Sequence, residues 1–401
     1  MPTVDSRPSP SSSTLSQLSS RGVPIESLLE ACKACSDDCD DQDDIDTYPR
    51  GFDVDMESDM LGSFKGFSRQ VVISTGKSDW DREVTDIPNS FAQLLRQESE
   101  SELEEQSQIK QQPVETSKEE SKNSPSFLGN LARKFSSSVS ISSSSSTPPT
   151  PTPSNDTPIP GLNSSIFNNS STPASRPTNL SILNSSFVSN SHSHDRESIM
   201  IFPDYKVVHE VVSNSRKHAK EVYQRYLNPS NQSRFNPSLE GGEGTLKSWP
   251  LPYKAVILLC SHKKRDKRCS IAAPLLLNQF HHHLTSHSLQ VDTSGEELDS
   301  LTPIESLQSE EELEDRLKEI GKESERVGIF MVSHIGGHKF SGNVVIHFPN
   351  GVTLYYGRVN PSDVGVIVDR TIMNGKVIPE FLRGGLGIDG KNKGSKGILD
   401  W

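Results

Sequence analysis

Apolar residues along this chain fall into short runs separated by polar stretches, and the sharpest pattern begins after Trp249. Residues 255–259 are continuously apolar, a length and composition that predict a strand buried on both faces. A basic loop follows, then apolar positions at helical spacing over residues 271–287. An acidic insertion over 295–326 leads to a second apolar strand over 327–332. Residues 343–348 and 353–357 read as two strands flanking Pro349-Asn350-Gly351, whose Asn-Gly pair predicts a hairpin. Pro361 opens a last helix that includes residues 364–373. This β-α-β-β-β-α order predicts a thioredoxin-like lobe over residues 250–385. Upstream, residues 70–74 and 198–202 predict strands, residues 90–96 an amphipathic helix, and residues 205–226 a helix carrying Val208, Val211, Val212 and Tyr223. The expected fold class is α/β, with a smaller α/β lobe from residues 25–96 and 199–249 preceding the thioredoxin-like lobe.

Between the two parts of the smaller lobe the periodicity fails. Residues 121–200 hold 25 Ser and 9 Pro in 80 positions, and residues 97–120 are acidic and Gln-rich. Residues 97–198 are therefore expected to be a disordered insertion, with the Phe-bearing island at 126–135 an apolar fleck in a linker. Residues 1–24 are expected to be disordered and residues 386–401 a flexible tail. The formal net charge of -12 argues against a general nucleic-acid binder, which needs a cationic face. The longest apolar runs have six residues, far short of the roughly 20 that cross a bilayer, so no membrane span is expected. The amino terminus has no apolar segment of the secretory kind. Five cysteines, three of them within residues 32–39, do not form a disulfide scaffold. Reduced thiols in the cytoplasm are expected, with the nucleus as a second compartment.

Candidate chemistry gathers at the strand ends of the thioredoxin-like lobe. Cys260 closes the strand at 255–259, and Cys269 precedes a helix whose amino-terminal dipole favours thiolate. After the next strand comes Ser333-His334-Ile335-Gly336-Gly337-His338, two imidazoles four residues apart on a backbone free to wrap closely. In an open α/β sheet, sites form outside the carboxyl ends of strands. Cys260, Cys269, His334 and His338 thus form a candidate four-ligand set for zinc or for an iron–sulfur cluster, which spacing alone does not separate. His262 reads as a donor behind the ligands or a surface residue, and His281, His282, His283 and His287 as a solvated helix face. Cys32, Cys35 and Cys39 lack an evident fourth ligand; a thiol oxidoreductase acting through Cys32 and Cys35 is a further, lower-ranked reading. The cations in Lys263-Lys264-Arg265-Asp266-Lys267-Arg268 offer a docking surface for an acidic electron donor.

Several of these segments resemble the sucrase/ferredoxin-like family. They are residues 254–262 (KAVILLCSH), the Arg265-Asp266 pair before Cys269, residues 332–343 (VSHIGGHKFSGN) and residues 71–85 (VVISTGKSDWDREVT). The resemblance implies a thioredoxin-like ferredoxin domain with a [2Fe-2S] cluster on Cys260, Cys269, His334 and His338. A cytosolic electron carrier or redox sensor, rather than an enzyme, is then expected. A 2+ core with two thiolates and two neutral imidazoles carries no net charge, so the potential should lie above that of four-Cys ferredoxins, and the outer N–H of each bound imidazole, acidified by ferric iron, should make it depend on pH. The alternative is an adaptor holding zinc on the same four ligands. The carboxyl-terminal Leu399-Asp400-Trp401 resembles the tail signal read by the cytosolic iron–sulfur assembly targeting complex, which names that complex as an expected partner.

Overall fold

A computed structural model describes residues 8–33, 47–111, 161–163, 179–191, 193, 195–235, 246–296, 298–299, 301–389 and 397–400. The helices in chain order are α1 (Ser12–Ser20), α2 (Leu28–Lys33), α3 (Phe91–Gln111), α4 (Arg216–Val222), α5 (Lys267–Ser286), α6 (Glu310–Glu323) and α7 (Val364–Val366). π-helical turns extend α4 through Tyr223–Leu227 and α7 through Ile367–Met373. The strands are β1 (Arg69–Ser74), β2 (Leu162–Asn163), β3 (Leu180–Ser185), β4 (Arg196–Phe202), β5 (Lys206–Val212) and β6 (Ser248–Pro250). They continue with β7 (Ala255–Cys260), β8 (Gln290–Asp292), β9 (Arg326–Val332), β10 (Val344–His347), β11 (Thr353–Tyr356) and β12 (Leu382–Leu386). All of them join one mixed sheet in the order β2-β12-β11-β10-β7-β9-β3-β1-β4-β5-β6, with β8 beside β9. The α/β class expected from the sequence is the class observed.

The thioredoxin-like order is visible at its centre. β7 runs parallel to β9, and β10 lies antiparallel to both β7 and β11. Because β7 has a strand on either side and cover on both faces, all six of its residues are buried, which is why it is continuously apolar. Ile257 and Leu259 point to one face, against Phe280 and Leu284 of α5. Val256 and Leu258 point to the other, where Leu313 and Leu317 of α6 join Phe330 and Val332. That second layer also contains Leu183, Phe187, Phe202 and Tyr205, so the core crosses the expected boundary between lobes. A third layer, with Val71, Ile199, Ile201, Phe91 and Leu95, covers the far end of the sheet.

Four expectations need correction. Residues 205–226 do not form one helix: β5 comes first, and α4 starts only where the Ser215 hydroxyl accepts the His218 N–H. The β-branched Val207-Val208 and Val211-Val212 pairs fit a pleated surface better than a helix, and this strand, paired with β4, buries Val207, Val208 and Val211. Residues 97–198 do not form a single unstructured insertion, because α3 continues to Gln111 and β3 lies within the sheet between β1 and β9. Serine content concealed β3, yet serine hydroxyls at its end and just past β9 supply bonds where the β3–β9 ladder is short. Ser185 Oγ donates to Met331 O at 3.1 Å, and Ser333 Oγ accepts from Asn184 N at 3.0 Å. Residues 8–24 are also ordered, with Leu18 and Val23 in the core and Pro24 O accepting from Val377 N. In the tail, Ile398 is buried, its N–H bonds Gly375 O, and its carbonyl accepts from Asn350 Nδ2 at 2.7 Å. Apolar Ile398 and Leu399 give that segment surface to bury, which the Gly/Lys stretch before it obscured. The 126–135 island, Cys35, Cys39 and Trp401 lie outside the described residues.

Candidate metal centre

Cys260 is the last residue of β7, opposite Val332 at the end of β9, and its N–H reaches Asn343 O. Cys269 sits in the first turn of α5 rather than before it. The helix is capped by Asp266, whose carboxylate accepts from Arg268 N at 2.9 Å. Both thiols are buried and meet each other. Cys260 is held well below the ordinary thiol range by the Cys269 thiol, with further help from the His334 ring and the Ile335 N–H. Cys269 moves up, because Cys260 beside it is the thiolate and burial disfavours a second charge. Ser341 Oγ lies 4.0 Å from Cys269 Sγ.

The histidine loop follows β9 directly. Gly336 and Gly337 take φ of 79° and 67°, left-handed values that turn the backbone before the short 3-10 turn His338–Phe340. The two rings lie with centroids 5.6 Å apart, inclined by 44°. His334 is half-buried and His338 exposed. Nδ1 of His334 is buried with no hydrogen-bond partner among the described residues, a condition a neutral imidazole avoids unless something else meets it. The structure thus brings Cys260, Cys269 and His334 together and sets His338 beside His334. Among the described residues, no group of three or more His, Cys, Asp and Glu side chains converges on one point as a single ion requires.

Other side chains surround these four candidates. His262 is buried rather than on the surface, and its Nε2–H donates to Trp80 O at 3.0 Å. The loop bearing Trp80 closes over the basic run. Asp79 Oδ1 accepts the N–H of Lys263 at 3.0 Å, Asp81 pairs with Lys264 at 2.5 Å, and Glu83 with Arg265 at 2.7 Å. Arg268 pairs with Asp266 at 2.8 Å. Three cations of the run expected to face an acidic donor are therefore already paired within the chain. His281, His282 and His287 are exposed, and Cys32 lies in α2, packed against the core. Sequence reasoning missed Arg383, a buried arginine in β12 beside the histidine loop; its one sequence signal is a cation within the apolar, Gly-rich run Phe381-Leu382-Arg383-Gly384-Gly385.

Comparison with known proteins places this chain in a family. The sucrase/ferredoxin-like family model matches residues 60–384. The chain is 30% identical to altered inheritance of mitochondria protein 32 of Debaryomyces hansenii over 204 residues, covering 47% of this chain and 60% of that protein. The Clavispora lusitaniae protein of the same name is 29% identical over 212 residues, 50% of this chain and 63% of its own length. Actin patches distal protein 1 of Saccharomyces cerevisiae is 36% identical over 121 residues, 30% of each chain. The matches to the first two relatives thus span about three fifths of their length. No solved structure matches. With its family model covering everything from the loop before β1 to β12, the chain belongs to the sucrase/ferredoxin-like family.

Proposed function

We propose that this protein holds a [2Fe-2S] cluster on Cys260, Cys269, His334 and His338 and serves as a one-electron carrier or redox sensor. The observation that carries the reading is the buried thiol pair, with Cys260 poised as thiolate, beside a His334 ring whose Nδ1 has no partner among the described residues. Two neighbouring thiols and two adjacent imidazoles are the donor types of a [2Fe-2S] site with two histidine ligands. When bound, the cluster would supply reversible one-electron chemistry. The residues hold it, keep water from the two sulfurs by burial, and leave His338 at the surface. The cytoplasm is the proposed compartment. The assembly targeting complex is the proposed partner at Leu399, Asp400 and Trp401, and Leu399 already packs against the core.

Protein purified without oxygen should be coloured and contain iron and acid-labile sulfide in equal amounts, near two of each per chain. Cys260→Ser and Cys269→Ser should each lose the iron, whereas Cys32→Ser should keep it. Colourless wild-type protein with one zinc per chain would overturn the proposal in favour of the zinc-bound adaptor.

A further inference from the structure

Among the described residues five arginines are buried, and four of them stand within ion-pair distance of a carboxylate. Arg69 reaches Asp204 at 2.9 Å, Arg225 reaches Glu305 at 3.4 Å, Arg234 reaches Glu314 at 3.6 Å, and Arg358 reaches Asp55 at 3.9 Å. Arg383 is the exception. It is only 1% exposed, and among the described residues no carboxylate lies within 4.0 Å of it. Its nitrogens donate to neutral acceptors instead: Asn343 Oδ1 at 2.7 Å, Gly336 O at 3.1 Å, Ser63 Oγ at 3.1 Å and Ser63 O at 3.4 Å.

A guanidinium cannot shed its proton to escape burial, so its charge needs an anion nearby. The negative charge that bears on Arg383 is that of the Cys260 thiolate, with the Cys269 sulfur beside it; the Tyr355 hydroxyl also lies near, but burial pushes its pKa up and keeps it neutral. The surrounding backbone is shaped to this side chain. A Cβ at Gly337 would overlap the Arg383 guanidinium, and one at Gly357 would lie 2.9 Å from its Cδ. One fork therefore binds the carbonyl of Gly336, inside the loop that carries both histidines, while its charge lies within electrostatic reach of the thiols.

We infer that Arg383 is the counter-ion of the thiolate site, positioning the histidine loop and setting the potential of whatever redox group the site holds. The inference rests on the cluster proposed above. Taking one electron from an external reductant moves a core of two thiolates and two neutral imidazoles from zero net charge to -1. A fixed cation beside the sulfurs favours that reduced form. Removing or neutralising Arg383 makes reduction harder.

The test compares full-length wild type with Arg383→Lys, Arg383→Met and Asn343→Asp, all purified anaerobically and titrated at an electrode, with iron counted in each. Asn343→Asp keeps the arginine but places a carboxylate against it. At a fixed ambient potential, Asn343→Asp and Arg383→Met should show a reduced-to-oxidised ratio about tenfold below wild type, equivalent to 59 mV for one electron. Arg383→Lys should stay within about threefold of wild type. If Arg383→Met loses its iron, the other two variants decide the matter. Asn343→Asp with full iron and an unchanged potential overturns the inference. So does loss of iron from all three variants when each melts like wild type in iron-free form, since Arg383 would then serve assembly alone. Wild type without iron defeats the cluster proposal instead, a result separable from either.

Discussion

At the scale of single residues, burial decides which groups respond to pH. His347 in β10 is fully buried, stacked on Phe202 at 3.8 Å, and bonded to Thr353 Oγ1 at 2.9 Å and Gln70 Oε1 at 3.0 Å. Desolvation lowers its pKa from the ordinary 6.5 to about 3. A histidine depressed in this way contributes stability in full above pH 6.5 and loses it as pH falls from 6.5 toward 3, because the unfolded chain gains the proton first. The slope is about 1.4 kcal/mol per pH unit, so about 2 kcal/mol is lost by pH 5. Urea unfolding of wild type and His347→Gln at pH 7 and pH 5 should show the stability gap narrowing by about that amount at the lower pH. At the site, Gly337→Ala should destabilise by about 1 to 2 kcal/mol through its positive φ alone, and more through its contact with Arg383. Thermal denaturation of the iron-free protein would measure it.

At the scale of elements, what could be read from the sequence depended on where each strand finds its partners. β7, β9 and the β10–β11 hairpin were legible because central burial demands apolar runs and an Asn-Gly turn announces itself. Cys260, Cys269, His334 and His338 stood out for the same reason, since each lies at or just beyond an element that periodicity locates. β3 was not legible, because three of its six residues are Ser or Asn, and their polar pairing shows only in the folded sheet: Ser185 Oγ donates to Met331 O, Ser181 Oγ accepts from Gln70 Nε2, and Asn184 N–H donates to Ser333 Oγ. Arg383 was equally hidden: nothing local to β12 reveals that its fork meets a loop 47 residues earlier. The strand makes a direct prediction. Leu183→Ala, at a position 3% exposed in the second core layer, should cost about 3 kcal/mol in chemical denaturation. A cost below 1 kcal/mol would mean that β3 does not hold the sheet together.

At the scale of the whole molecule, the layer shared by Leu258, Phe330, Phe202 and Tyr205 ties the two lobes into one sheet. Residues 250–385 expressed alone should therefore expose that layer and the end of β9, and elute as aggregates in size-exclusion chromatography. A monodisperse monomer would show that the lobe stands by itself. The smaller lobe also reaches the site through the loop from Ser78 to Glu83, whose carboxylates hold Lys263, Lys264 and Arg265. These contacts join residues more than 180 positions apart, yet most lie at the surface, where mobile ions weaken them. Ionic strength is thus a dial on solvent access. As salt rises from about 0.05 to 0.5 M, amide hydrogens at Lys263 and Lys264 should exchange faster while those of β7 do not, and small oxidants should reach the sulfurs of Cys260 and Cys269 sooner.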